Sequence, residues 1–115
     1  MSGMLQEYER VVHPTVLSQI RLLGRELAGA SVVHVNSTRS GGGVAEILDR
    51  FVPLMEELGI HVRWEVISGT DEFFAVTKRM HNAIQGAGQA LSDAMKKTYT
   101  ETNGANAEVL RSVLE

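Results

Sequence analysis

No cysteine occurs among the 115 residues, which removes disulfides, thiolate metal sites and a thiol nucleophile together. Aromatic residues make up only 5% of the chain, and its basic residues are dispersed against a formal net charge of -3. Neither the stacking platforms nor the basic stripe of a nucleic-acid surface is therefore expected. No apolar run approaches the ~18 to 20 residues that span a bilayer, and Met1-Ser2-Gly3-Met4 lacks the basic and apolar regions of a signal peptide. No membrane partner is expected, and the cytoplasm is the default location. The four histidines, His13, His34, His61 and His81, fall on different predicted elements with no carboxylate at a ligand spacing, so neither a metal nor another cofactor is expected. What remains is an ordinary globular composition, 43% hydrophobic, at a length that allows one small domain.

Within that composition, Val32 to Leu58 organises the chain. An apolar run, Val32-Val33-His34-Val35, leads through Asn36 to Ser40 into Gly41-Gly42-Gly43 and then into helical periodicity. Three glycines permit positive φ and leave space beside the backbone, and the following helix aims its free N–H groups and positive dipole end at that space. An anionic group fits such a turn; a plain strand-to-helix connector explains the same residues. A Walker A loop is excluded, because Val44-Ala45 stands where Lys-Ser/Thr is required. The dinucleotide fingerprint is weak, because Glu46 occupies its third small position.

The helix is predicted from Val44, Ile47, Leu48, Phe51, Met55 and Leu58, which share one face. Pro53 inside it removes a hydrogen bond at a cost of roughly 3 kcal/mol, which predicts a kink or two shorter helices. Before the strand, Pro14 suits a helix start, and Val16, Ile20, Leu23 and Leu27 predict its packed face. The strand Ser31 to Asn36 reads as covered on both faces, with His34 a buried, hydrogen-bonded histidine. His61 to Ile67 reads as a second, parallel strand with Trp64 in the core, which completes a βαβ unit with the glycine turn at its C-terminal edge.

Thr70 or Asp71 caps a further helix through Phe73, Val76, Thr77, Met80 and Ile84. Its polar face sets Lys78, His81, Asn82 and Gln85 at i, i+3, i+4 and i+7, a line of donors and acceptors able to grip a polyol. A solvated helix face explains that line equally well. After Gly86-Ala87-Gly88, a helix around Leu91 to Thr100 and another beyond Asn103-Gly104 complete the chain. The segments expected are 1–30, helical; 31–86, a βαβα core; and 87–115, C-terminal helices. A two-stranded parallel sheet is not expected to be stable alone, so the chain is expected either to form a homo-oligomer or to be the leading piece of a larger protein.

Three strings, HVNSTRSGGGVAEIL (His34 to Leu48), GIHVRW (Gly59 to Trp64) and TDEFFAVTKRMHNAIQG (Thr70 to Gly86), closely resemble the N-terminal region of nucleotide-sugar-dependent trehalose synthases. These belong to glycosyltransferase family 4 of the retaining GT-B class, and trehalose phosphorylases are similar. The resemblance implies an α/β fold, a partial Rossmann-like βαβ unit with additional helices that starts the N-terminal, acceptor-side domain. It implies transfer of glucose from ADP- or UDP-glucose to free glucose, giving trehalose, with the donor pocket in a second domain and no catalytic residue within this chain. Gly41, Gly42 and Gly43 would then approach the donor diphosphate, with Arg39 assisting, while His81, Asn82 and Gln85 would contact the acceptor sugar. A trehalose phosphorylase half, or a small binding or assembly module, are the competing readings.

Overall fold

The computed structural model describes residues 3–115. Its elements, in chain order, are α1 (Met4–Tyr8), α2 (Pro14–Glu26), β1 (Ser31–Asn36), α3 (Gly43–Glu57), β2 (His61–Val66), α4 (Asp71–Ile84) and α5 (Asp93–Leu114). They fall into two compact units, one ending at Val66 and the other spanning Ile67–Glu115.

In the first unit, β1 and β2 pair in parallel from Ser31 opposite His61 to Asn36 opposite Val66, and α3 is the crossover between them. The strand–helix–strand unit read from the sequence is thus present. His34 lies opposite Trp64 in this register, so the two side chains share a face of the sheet with Asn36, two residues along. Phe51 of α3 meets the His34 ring edge-on, with centroids 5.9 Å apart. Among the described residues of this unit, Leu5, Leu17, Ala45, Leu48 and Ile60 form the buried apolar core.

Several expectations fail here. β1 is not covered on both faces: it is half-buried along most of its length, and Val35 is 48% exposed. α2 buries Leu17 and Gly24 instead of Val16, Leu23 and Leu27, which are exposed. At Gly24 an added Cβ would lie 2.8 Å from the Leu58 side chain, so this helix is seated through its smallest residue. α3 buries Ala45 and Leu48 and leaves Val44, Ile47 and Phe51 exposed, because its apolar stripe is wider than a two-stranded sheet can cover. Of the two outcomes expected at Pro53, two shorter helices do not form: α3 runs as one helix through Glu57. Asp49 and Pro53 are exposed, so water can satisfy the carbonyl that the proline deprives of its donor.

His34 also departs from the expected hydrogen-bonded histidine: its Nε2 is buried and has no hydrogen-bond partner among the described residues. Pro14 does open α2, and the His13 imidazole Nδ1 caps it by accepting from the Thr15 N–H at 3.2 Å.

The second unit is a helical hairpin of α4 and α5. Thr70 caps α4 through its hydroxyl, which accepts from the Phe73 N–H at 3.2 Å. Phe73 is buried and stacks on Tyr99 of α5, with centroids 6.1 Å apart. Ile84, expected on the packed face of α4, is 85% exposed at its last turn. The two helices expected after Gly88 are a single helix, α5. Gly104 costs about 1 kcal/mol in a helix interior, but Asn103 and Asn106 turn their amides back onto the carbonyls of Tyr99 and Thr102. These side chains therefore bond to the helix instead of breaking it.

Candidate functional site

The sequence-predicted residues lie in two places, one in each unit. In the first unit they form the turn from β1 to α3. Gly41 and Gly42 take φ of 75° and 86°, values that a side chain makes costly, whereas Gly43 is already the first residue of α3 and has no positive φ. The expectation of a permissive turn holds for two glycines, and the third belongs to the helix. No side chain caps α3 at Gly42, and a Cβ built on Gly41, Gly42 or Gly43 would meet nothing within 4 Å. The first N–H groups of α3 thus lack a side-chain cap at the positive end of the helix dipole, beside a turn with room for added atoms. Glu46 supplies the one acidic side chain of the first turn.

Arg39 sits in the same turn, but its guanidinium is engaged. One terminal nitrogen donates to the Trp64 carbonyl at 2.8 Å, and the guanidinium carbon lies 4.7 Å from the centroid of the Trp64 ring. The indole Nε1–H of Trp64 donates to Asn36 Oδ1 at 2.8 Å, and the Asn36 amide donates to the Thr38 carbonyl at 2.7 Å. Reading of the sequence missed Asn36 and Trp64 here. The available signal was their position, a polar residue ending one strand and the single tryptophan on the next.

In the second unit, His81 and Asn82 occupy the last turn of α4, and Gln85 is its C-cap. The polar line separates in space. Asn82 is half-buried and lines a shallow hollow with Lys78, Glu72, Arg79, Gln89 and Met95. His81 and Gln85 are exposed and do not line that hollow. Lys78 and Asn82 thus pair at i, i+4, while His81 offers its ring to solvent.

Residues 34–115 match the sequence model of the trehalose synthase N-terminal domain. The chain belongs to the trehalose synthase N-terminal domain family. The match takes in the glycine turn, β2 and both helices of the second unit, so both candidate places fall within the family region. The trehalose synthase of Thermococcus litoralis is 50% identical over 105 residues, covering 90% of this chain and 26% of the relative. That of Rubrobacter xylanophilus is 41% identical over 106 residues, again 26% of its length. A trehalose phosphorylase from Pleurotus pulmonarius is more distant, 31% identical over 84 residues and 11% of its own length. The chain spans about a quarter of the length of the curated trehalose synthases it matches.

Proposed function

We propose that this chain is the acceptor-side part of a retaining glycosyltransferase that transfers glucose from ADP- or UDP-glucose to glucose, giving trehalose. The family match over residues 34–115 carries the proposal. In it, β1, α3 and β2 are the opening βαβ unit of a Rossmann-like domain in a GT-B architecture. The open, uncapped start of α3 at the C-terminal edge of two parallel strands supports that reading, because ligands of open α/β sheets collect at that edge.

In the reaction, the bond between the glucose anomeric carbon and the diphosphate oxygen breaks, and a bond forms from that carbon to the anomeric hydroxyl oxygen of the acceptor. The hydroxyl proton passes to the departing diphosphate. Negative charge builds on the leaving group, so N–H donors and a helix dipole fixed beside it stabilise the transition state more than the ground state. Gly41, Gly42 and Gly43 bring backbone close to the diphosphate in this proposal, while His81, Asn82 and Gln85 hold the acceptor sugar by donor and acceptor groups. No nucleophilic side chain is needed from this chain, and the isolated chain is expected to be inactive.

Similarity to a trehalose phosphorylase supports a second reading, in which inorganic phosphate takes the place of the nucleotide. The two separate in one assay of a longer protein carrying this segment. Trehalose formed from nucleoside diphosphate-glucose and glucose supports the synthase; phosphate-dependent breakdown of trehalose without nucleotide supports the phosphorylase; neither activity overturns both.

A further inference from the structure

The hydrogen bonds around Trp64 tie the turn to the neighbouring strand at two separate points. At the first, the indole Nε1–H holds Asn36, whose amide holds the Thr38 carbonyl, and the Thr38 hydroxyl then donates to the Ser40 carbonyl at 2.6 Å and accepts from the Ser40 N–H. At the second, Arg39 reaches back over the indole face to the Trp64 carbonyl. Trp64 therefore anchors one side of the turn by its ring N–H and the other by its ring face and backbone oxygen. Both anchors come from a residue 25 to 28 positions away in sequence, so the shape of the turn depends on β2 as well as on local preference. The two positive-φ glycines that follow have large backbone freedom to lose, and the anchors restrict the chain immediately before them.

We propose that Trp64, Asn36 and Arg39 form a latch that sets the conformation of residues 37–42, and that they are positioning residues for the diphosphate approach to α3. The catalytic consequence rests on the reading of the turn in the preceding section; the latch itself does not. Arg39 works here through its planar face and its fork of donors, which lysine lacks. One terminal nitrogen and the face of its guanidinium are engaged by Trp64, and in this proposal it acts on a ligand through the turn.

Backbone amide relaxation in the 115-residue chain tests the latch. In Arg39→Gln and Trp64→Phe, order parameters over residues 37–42 fall from about 0.85 to below about 0.6, while those within α3 and β2 stay at the rigid value. Arg39→Lys, which keeps the charge, restores little of the loss. Asn36→Asp keeps the acceptor for the indole but removes the donor to Thr38, and loosens the turn alone. Should Trp64→Phe fail to fold, the substitutions at Arg39 and Asn36 decide: rigid values over 37–42 in both overturn the latch. In a longer trehalose-forming protein carrying this segment, Arg39→Gln lowers kcat about 10- to 100-fold with little change in KM for glucose. A loosened turn with unchanged kcat leaves the latch standing and sinks the placement of the diphosphate at the turn.

Discussion

Asn106 on α5 closes both ends of its side-chain amide on Ser68: Oδ1 accepts the Ser68 N–H at 2.8 Å, and Nδ2 donates to the Ser68 carbonyl at 2.7 Å. The same Nδ2 also reaches the Thr102 carbonyl at 2.9 Å. One buried amide thereby satisfies three backbone groups and fixes the chain two residues before the Thr70 cap of α4.

Replacing Asn106 with alanine is expected to destabilise the protein by about 1 to 3 kcal/mol, because the backbone groups lose partners in a partly buried position. Asn106→Asp is expected to cost at least as much, since it loses both donor bonds and sets a carboxylate oxygen against two carbonyls. Urea unfolding of the three proteins measures the order. A cost below about 0.5 kcal/mol for both variants would mean that water replaces the amide freely.

The exposed Val44, Ile47 and Phe51 of α3, with half-exposed Tyr8 beside them, give a reason to expect self-association. Two paired strands also present open edges, which invite pairing with another copy. Light scattering over a dilution series is expected to show a mass that rises with concentration, and Ile47→Asp is expected to lower it. A concentration-independent monomer would contradict this expectation.

At the acceptor candidates, exposure makes the functional and structural outcomes separable. His81→Ala and Gln85→Ala remove exposed side chains, so thermal stability is expected to move little. In a longer trehalose-forming protein, each is expected to raise KM for glucose several-fold, the equivalent of about 1 kcal/mol per hydrogen bond. KM for the nucleotide sugar is expected to hold. Asn82→Ala tests the alternative that the sugar enters the hollow lined by Lys78 and Asn82; a larger effect there than at His81 would move the contact.

The limits of β1, the start of β2, the Pro14 start of α2 and a cap of α4 at Thr70 or Asp71 were legible because each is written in a few adjacent residues, although β2 ends at Val66, one residue short of the expected Ile67. Packing was less so. Apolar periodicity weights large residues, whereas α2 and α3 are seated through Gly24 and Ala45, whose small size allows close approach. The continuity of α5 was hidden because Asn103 and Gly104 are turn-forming residues, and only the amide bonds to Tyr99 and Thr102 show why the helix runs through. The glycine turn was legible in composition, but the hold on it was not: Asn36 and Trp64 are 28 positions apart, and strand register brings them together.

The three glycines give the sharpest separation of fold from function. Gly41 and Gly42 sit at positive φ, so Gly41→Ala and Gly42→Ala are each expected to cost about 1 kcal/mol or more in stability whatever the turn binds. Gly43 is helical with open space at its Cβ position, and Gly43→Ala is expected to be neutral or to stabilise by up to about 1 kcal/mol. Gly43→Asp places a carboxylate in the first turn of α3, where the helix dipole favours it by about 0.3 to 1 kcal/mol. The protein is therefore expected to melt no lower than wild type. That same carboxylate would occupy the space and repel the charge of a diphosphate bound there, so kcat in a longer trehalose-forming protein is expected to fall by about 10² to 10³. Gly43→Ala controls for loss of the glycine itself and is expected to retain most activity. A stable Gly43→Asp enzyme with near wild-type kcat would make the turn a connector between β1 and α3 and nothing more.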